Sequence, residues 1–224
     1  MFLLNNKKSA YILFLILFIF LISSCREKKE SSYYLTYRIL ENDKRYNTFL
    51  HALNLMKERD MKVIVETGTA RGGIDNCAGD GCSTIIFSEW AKDNDADFYS
   101  VDIDADAVEK AKNAIKLFYG RANFTVSDSV QFLKDFKQYN KKIDFLYLDS
   151  MDVDVNNPLP SQEHHLKEIE AAYPYLHEKS AVMIDDCIEP DQGCKSGKGK
   201  LVLLFLLDKG WKKSINEYQV IMTR

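Results

Sequence analysis

Acidic side chains stand at the ends of two predicted strands. Asp149 closes the run KIDFLYLD at residues 142–149, and Asp185 with Asp186 closes SAVMIDD at 180–186. The carboxyl ends of parallel strands meet at one edge of a sheet, where open α/β sheets bind their ligands. Three carboxylates gathered there can hold a hard cation such as Mg²⁺. The alternative is that these aspartates cap helices and turns.

A glycine-rich turn follows an earlier strand. The sequence VETGTARGG places Gly68 and Gly72 where a backbone can approach a ligand closely. Two later strands end at Asp102 and at the pair Asp128–Ser129. An acidic group after the second strand can accept hydrogen bonds from ribose hydroxyls, and polar groups after the third can contact an adenine edge. The glycine spacing differs from G-x-G-x-x-G, which argues against a nicotinamide-dependent oxidoreductase.

Alternating apolar runs and helical patterns supply the elements that position these residues. Strands are predicted at 62–67, 97–103, 123–128, 142–149 and 180–186, with helices at 83–94, 104–118, 129–136 and 161–178. A further helix at 199–209 precedes a closing hairpin that adds an antiparallel strand. This order predicts an α/β fold, a Rossmann-like doubly wound sheet that is mostly parallel, with helices on both faces. We expect the domain to extend over residues 43–224.

With these motifs in this order, the chain resembles the class I S-adenosylmethionine-dependent methyltransferases, from about residue 45 to the C-terminus. VETGTARGG stands at the family's first motif, SVDID at the second and VSDS at the third. The resemblance implies strand order 3-2-1-4-5-7-6, with strand 7 antiparallel, and S-adenosylmethionine as the cofactor. It also implies a set of cofactor-binding residues, which are Glu66, Gly68 and Gly72 around the methionine part, Thr69 in the same turn, Asp102 at the ribose, and Asp128 and Ser129 at the adenine.

Within that family, the carboxylates after strands four and five resemble those of metal-dependent O-methyltransferases of the catechol and caffeoyl-coenzyme A kind, and of the cephalosporin hydroxylase-like group. The implied function is O-methylation of a small molecule or sugar hydroxyl, with Mg²⁺ held by Asp149, Asp185 and Asp186. Catechol-type members carry a lysine three residues past the strand-four aspartate, whereas this chain has Asp152 there. The proton acceptor is therefore sought among Asp152, His164 and the adjacent His165, and the expected catalytic residues are Asp149, Asp152 and His164.

The N-terminus has the pattern of an export signal. Two lysines precede an apolar run, and the ending LISSC resembles a bacterial lipobox, in which Cys25 is lipidated. We expect residues 1–24 to be a signal peptide or membrane anchor and 25–42 a tether. The protein is then a membrane-anchored bacterial lipoprotein that contacts the membrane through its N-terminus. An uncleaved anchor is the alternative, and the side of the membrane that the domain faces stays open.

Four further cysteines allow two disulfides in three connectivities. Cys77 and Cys82 belong to an insertion after the glycine turn, and Cys187 and Cys194 lie in the loop after strand five. Free thiols and a zinc site are the alternatives, although the spacings C-x4-C and C-x6-C are unusual for zinc. We expect these cysteines to brace the rim of the site, and the sequence leaves open whether a cross-link joins the two loops.

The segment 187–202 is expected to be a lid over the site. Its glycines give mobility, and Lys195, Lys198 and Lys200 either attract an anionic substrate group or are simply solvated.

Composition excludes some classes of partner. The formal net charge is −3 and no long basic run occurs, which argues against nucleic acid. A small-molecule substrate is the expected partner, and the oligomeric state stays open. The alternative function is a non-catalytic exported lipoprotein that uses a methyltransferase fold as a binding module.

Overall fold

The computed structural model describes residues 29–77, 79 and 82–224. The predicted signal at 1–24 and the predicted lipidation site Cys25 lie outside the described residues. Within the part that is described, no helix is both long and apolar enough to cross a bilayer. All the elements below lie in one compact unit, Ser31–Arg224.

A seven-stranded sheet forms the centre of this unit. Its strands are β1 (Val63–Thr67), β2 (Asp97–Asp102), β3 (Asn123–Val126), β4 (Phe145–Leu148), β5 (Ala181–Ile184), β6 (Lys212–Asn216) and β7 (Val220–Thr223). They lie in the order β3-β2-β1-β4-β5-β7-β6. Strand β7 is antiparallel to β5 and β6, and the remaining pairings are parallel. The predicted strand order and the antiparallel strand 7 are confirmed.

Helices connect the strands. They are α1 (Tyr46–Glu58), α2 (Ser83–Asp93), α3 (Ala105–Leu117), α4 (Ser129–Lys134), α5 (Leu159–Ala172) and α6 (Lys200–Asp208). Asp104 caps α3 by accepting a hydrogen bond from the backbone N–H of Asp106 at 2.8 Å. Helix α5 ends earlier than the predicted 161–178, because Pro174 cannot continue the α-helical hydrogen bonding, and a short 3-10 turn follows.

Apolar clusters cover both faces of the sheet. One contains Phe87 and Phe145, with ring centroids 5.5 Å apart, and the other contains Tyr99 and Phe136, also 5.5 Å apart. Strands β1, β4 and β5 are buried along their whole length. Because close-packed side chains hold these strands, the residues directly after them have fixed positions.

The N-terminal segment of the unit packs into the core. A 3-10 helix spans Ser31–Leu35, and both Leu35 and the following Ile39 are buried in the cluster that contains Phe87. Arg38 pairs with Glu89 of α2 at 2.7 Å. The predicted tether at 25–42 is therefore wrong from Ser31 onward, since burial of apolar side chains makes these residues part of the domain.

Candidate active site

Two adjoining cavities lie at the carboxyl edge of the sheet. The first, of about 220 Å³, is lined mainly by charged groups, and the second has about 190 Å³. Gly68, Asp102 and Ser150 line both, so the cavities are parts of one cleft. The predicted site residues divide between them, with Thr69, Asp149, Asp152, Asp185 and Asp186 in the first and Asp128, Ser129 and His164 in the second.

The glycine turn is locked against the ends of two neighbouring strands. Gly68 has φ +85°, and a Cβ there would collide with the backbone carbonyl of Asp149. A residue other than glycine is therefore excluded by both conformation and space. The backbone N–H of Thr69 donates to Oδ2 of Asp102 at 3.1 Å. The turn and the end of β2 thus form one rigid border of the cleft.

Glu66 lies beneath this turn and lines neither cavity, although the sequence motif predicts a place for it around the cofactor. Its side chain is buried, and Oε2 accepts hydrogen bonds from the hydroxyls of Thr84 at 2.7 Å and Ser100 at 2.8 Å. The Thr84 hydroxyl oxygen accepts from the backbone N–H of Ala70 at 2.8 Å. Burial raises the pKa of Glu66 to about 7, although these hydroxyls oppose the rise. Glu66 therefore shapes the turn from below.

Gly72 lies outside the cleft. The chain reverses after the turn through two backbone hydrogen bonds, from Arg71 to Thr69 at 2.7 Å and from Gly73 to Ala70 at 2.9 Å. Gly72 then lines a separate, shallow depression against α3. The structure does not bring it together with Gly68, as the sequence motif leads one to expect.

The second cavity has apolar walls and polar ends. Val101, Ile103 and Met151 contribute to its lining. The Asp128 carboxylate caps α4 by accepting from the backbone N–H of Gln131 at 2.8 Å. At the same end, the Ser129 hydroxyl lies 3.1 Å from Nε2 of His164. Such a lining fits a flat, partly apolar ring with hydrogen-bonding groups at its edge.

A buried carboxylate that sequence reasoning missed holds His164 in place. Oε1 of Glu168 accepts from the Ser150 hydroxyl at 2.6 Å and lies 3.4 Å from Nε2 of His164. Burial alone would raise the pKa of Glu168, but His165, His164 and the hydroxyls lower it to about 2. Burial lowers the pKa of His165 to about 4, while the hydrogen bond to Glu168 raises that of His164. His164 thus belongs to the second cavity, apart from the acidic cluster of the first.

In the first cavity, Asp149, Asp185 and Asp186 form the predicted acidic cluster. One oxygen of each lies within 4.8 Å of the others, a spacing that a divalent cation can bridge. Nζ of Lys198 already lies among them, 2.6 Å from Oδ1 of Asp149 and 3.1 Å from Oδ2 of Asp186. Lys198 is fully buried, so the expectation of a solvated or substrate-attracting lysine is wrong. As arranged, the cluster does not fit Mg²⁺, because the ammonium already contacts two of its three carboxylates.

Electrostatics keep this lysine charged. Burial alone would lower the pKa of Lys198, but the carboxylates of Asp149, Asp185 and Asp186 outweigh it and raise the pKa well above its usual value. The pKa of Asp186 is lowered, because Lys198 and the Tyr218 hydroxyl outweigh the opposing effect of burial. The Lys198–Asp186 contact is thus an ion pair in a partly desolvated site.

Residues from distant segments complete the cluster. The Tyr218 hydroxyl donates to Oδ1 of Asp186, and Nζ of Lys44 lies 3.3 Å from the centre of the Tyr218 ring. The Gln219 side-chain amide donates to Oδ1 of Asp185 at 2.8 Å. Tyr218 and Gln219 lie in the β6–β7 connection, and no local pattern in the sequence marks them.

Asp152 lies at the mouth of the first cavity, in solvent. Its two carboxylate oxygens contact the guanidinium of Arg71 at 2.8 and 3.2 Å, and 70% of its side chain is exposed. The pair connects the loop after β4 with the glycine turn. This position in solvent, away from the interior of the cavity, suits Asp152 to a bridge across the mouth better than to proton transfer.

The cysteines pair within their own loops. One disulfide joins Cys77 to Cys82 and the other joins Cys187 to Cys194. Of the alternatives that the sequence left open, the cross-link between the two loops is therefore not formed. The first loop is instead attached by Arg45, whose guanidinium donates to the carbonyls of Cys77 and Gly79, each at 3.3 Å.

The sequence itself matches a known family over about half its length. Residues 78–187 match the family model described as a methyltransferase domain. The chain carries a methyltransferase domain. The match includes Asp102, Asp128, Asp149 and the pair Asp185–Asp186, and it begins after the glycine turn. The predicted family, the class I S-adenosylmethionine-dependent methyltransferases, is confirmed.

Solved structures share the fold of this methyltransferase domain. A Staphylococcus aureus protein assigned as a caffeoyl-CoA O-methyltransferase is 14% identical with a TM-score of 0.56, covering 91% of this chain and 96% of its own. An O-methyltransferase from Bacillus cereus in complex with SAH, S-adenosylhomocysteine, is 12% identical with a TM-score of 0.54, covering 86% and 85%. MycE methyltransferase of the mycinamycin biosynthetic pathway, in complex with Mg and SAH, is 14% identical with a TM-score of 0.56, covering 88% of this chain and 53% of its own. Among curated proteins, none matches the chain.

Proposed function

We propose that the domain transfers a methyl group from S-adenosylmethionine to a hydroxyl group of a small molecule. The observation that carries the proposal is the position of Asp102 at the junction of the two cavities. Its carboxylate is fixed by the backbone N–H groups of Thr69 at 3.1 Å and Asp104 at 2.8 Å, so it is pre-oriented to accept from a ribose diol. The SAH complexes with this fold support the cofactor.

The linings of the two cavities support one orientation of the cofactor in the cleft. The adenine ring would enter the second cavity, between its apolar walls and the Asp128–Ser129 end. The methionine part would pass Gly68, which lines both cavities. The reactive methyl group would then face the first cavity and its acidic cluster, which lies on the far side of Asp102.

The reaction itself is an in-line displacement. The acceptor oxygen forms a bond to the methyl carbon while the bond between carbon and sulfur breaks, and sulfur keeps the electron pair. The hydroxyl proton passes to a base. We assign that base to Asp149. Asp152 also lines the first cavity but lies at its mouth with 70% of its side chain exposed, and His164 lines the second cavity. Holding both reactants in line contributes to the rate, because it removes the entropic cost of bringing them together in this geometry.

The first cavity favours a hydroxyl-bearing acceptor such as a sugar. Its wall offers carboxylates, the Tyr218 hydroxyl and the basic groups of Lys44 and Arg71, which together match a polar ligand. MycE, one of the proteins with this fold, has been solved with mycinamycin VI.

Binding of S-adenosylhomocysteine tests the proposal directly. In calorimetric titration, D102N should bind about 10- to 100-fold more weakly than the unaltered protein, because a charge-assisted hydrogen bond contributes about 1.5–3 kcal/mol. The matched control is D106N, which removes an exposed aspartate from the adjacent helix. Absence of binding to the unaltered protein, or equal binding by both variants, would refute the assignment.

We further propose that the protein is exported and anchored through Cys25. Disulfides persist in oxidising compartments, and both pairings here support that location. The same observation favours a second candidate function, a non-catalytic lipoprotein that uses the fold to bind ligands, since S-adenosylmethionine is made inside the cell. Mass spectrometry of the native protein tests whether the protein is exported. A lipidated N-terminal Cys25 supports export, whereas free thiols and an unprocessed N-terminus contradict it.

A further inference from the structure

The acidic cluster of the first cavity contains its own cation. Nζ of Lys198 contacts Oδ1 of Asp149 and Oδ2 of Asp186, and the third carboxylate, of Asp185, belongs to the same cluster. The Lys198 side chain is 1% exposed, although an unpaired lysine is almost always at the surface. Its ammonium therefore depends on these carboxylates for compensation of its charge.

The backbone around Lys198 is built to hold it there. Gly197 lies so close to the end of β5 that a Cβ would collide with the carbonyl of Asp186. The backbone N–H of Lys198 donates to that same carbonyl at 3.2 Å. The side-chain amide of Gln162, itself buried, donates to the carbonyls of Gly197 at 2.9 Å and Lys195 at 3.1 Å.

A disulfide limits the freedom of the same loop. The bond between Cys187 and Cys194 closes the segment that leads from the acidic pair to Gly197. Both cysteines are fully buried, and they pack in the cluster that contains Val202 and Leu203 of α6. With the loop fixed on both sides, the lysine cannot leave the cluster without breaking packed contacts. Removing its charge would leave the carboxylates uncompensated.

We propose that Lys198 is the resident cation of this cluster and that the protein binds no divalent metal there. A metal ion would have to bind carboxylates that the ammonium already contacts, and two cations so close together would repel each other. Lys198 then acts as a positioning residue that keeps Asp149 and Asp186 in the cavity. That Lys198 is the cation of the cluster follows from the geometry and does not depend on the proposed function. Only the role of Lys198 as a positioning residue in catalysis rests on that function.

Manganese binding tests the proposal on the full-length protein, because free Mn²⁺ gives an electron paramagnetic resonance signal that is lost on binding. We expect the unaltered protein to bind Mn²⁺ no tighter than about 1 mM. K198M, which keeps the length of the side chain and removes its charge, should bind at least about tenfold more tightly. Adding D185N to K198M should abolish the gain, which locates the ion. K195A, at an exposed lysine of the same loop, is the matched control and should behave like the unaltered protein.

Two results would overturn the proposal. One is tight Mn²⁺ binding by the unaltered protein that D185N removes. The other is a folded K198M, judged by circular dichroism, that gains no affinity. If K198M does not fold, the affinities of the unaltered protein and of D185N for Mn²⁺ still decide the question. Binding of S-adenosylhomocysteine is measured separately, so failure of the methyltransferase proposal is distinguishable from failure of this one.

Discussion

Replacing Glu66 with glutamine should change how stability depends on pH. Glu66 is 1% exposed, and its pKa of about 7 in the folded protein lies above its ordinary value of 4.5. The folded state therefore binds more protons than the unfolded state between these two values. Stability from the protonated form is fully present below pH 4.5 and is lost as the pH rises through 7. E66Q removes this titration and keeps the size of the side chain.

The magnitude follows from the two pKa values. Each unit of difference corresponds to about 1.4 kcal/mol, so the full loss is about 3 kcal/mol. Between pH 5 and pH 8 the loss amounts to about 2.5 kcal/mol, because Glu66 is already partly ionised at pH 5 in the unfolded chain. The free energy of unfolding of E66Q, relative to that of the unaltered protein, should rise by this amount across the same interval. The hydroxyls of Thr84 and Ser100 can rotate to meet the amide.

Urea unfolding at pH 5 and pH 8, followed by tryptophan fluorescence, measures both free energies. E163Q is the matched control, since Glu163 is exposed on α5 and should show no such change. A constant difference between E66Q and the unaltered protein at the two pH values would refute the reasoning. It would mean that Glu66 is ionised in the folded state at pH 5, in spite of its burial.

Three further predictions follow from the same structure. G68A should lose about 1–3 kcal/mol more stability than G210A in thermal unfolding, because both positions have positive φ but only a Cβ at Gly68 meets backbone; equal losses would contradict the close approach. E168Q should be less stable by about 1–3 kcal/mol at pH 7, because the amide holds the Ser150 hydroxyl and His164 less strongly than the buried carboxylate does. The stability that ionised Glu168 contributes is present above pH 4.5 and is lost as the pH falls through about 2, so urea unfolding at pH 7 and pH 3 should show a smaller deficit at pH 3. Serine at both Cys187 and Cys194 should lower the free energy of unfolding by about 2–3 kcal/mol, and a reducing agent should then have a smaller effect on the melting temperature than it has on the unaltered protein.

Local pattern was enough to predict the strand ends that border the cleft. Asp102 and Asp149 each follow a short apolar run, and such runs are easy to recognise because buried parallel strands are apolar along their length. Their place at one edge of the sheet then follows from the parallel arrangement. The acidic cluster was predictable for the same reason.

The remaining features of the site depend on contacts between residues that are far apart in the sequence, which local patterns do not reveal. The burial of Lys198 depends on the path of a loop that is fixed by Gly197 and by Gln162 of another helix, and neither contact leaves a periodic signal. Glu66 stands inside a recognised motif, yet its side chain points into a hydroxyl cluster formed with α2 and β2. The segment before α1 is short and contains both polar and apolar residues, so no periodic pattern predicts its burial. Leu35 and Ile39 are buried only because the rest of the folded domain packs against them.

A built-in ammonium has a consequence for turnover in the proposed reaction. Lys198 supplies one positive charge where a divalent metal would supply two, so more negative charge remains beside the reactive sulfur. The sulfonium of the methyl donor is cationic, whereas the thioether left after transfer is neutral. The cluster therefore attracts the cofactor before the reaction and loses that attraction afterwards. Release of the spent cofactor is favoured for this reason, and accumulated product should inhibit the protein less than it would if a metal neutralised the same carboxylates.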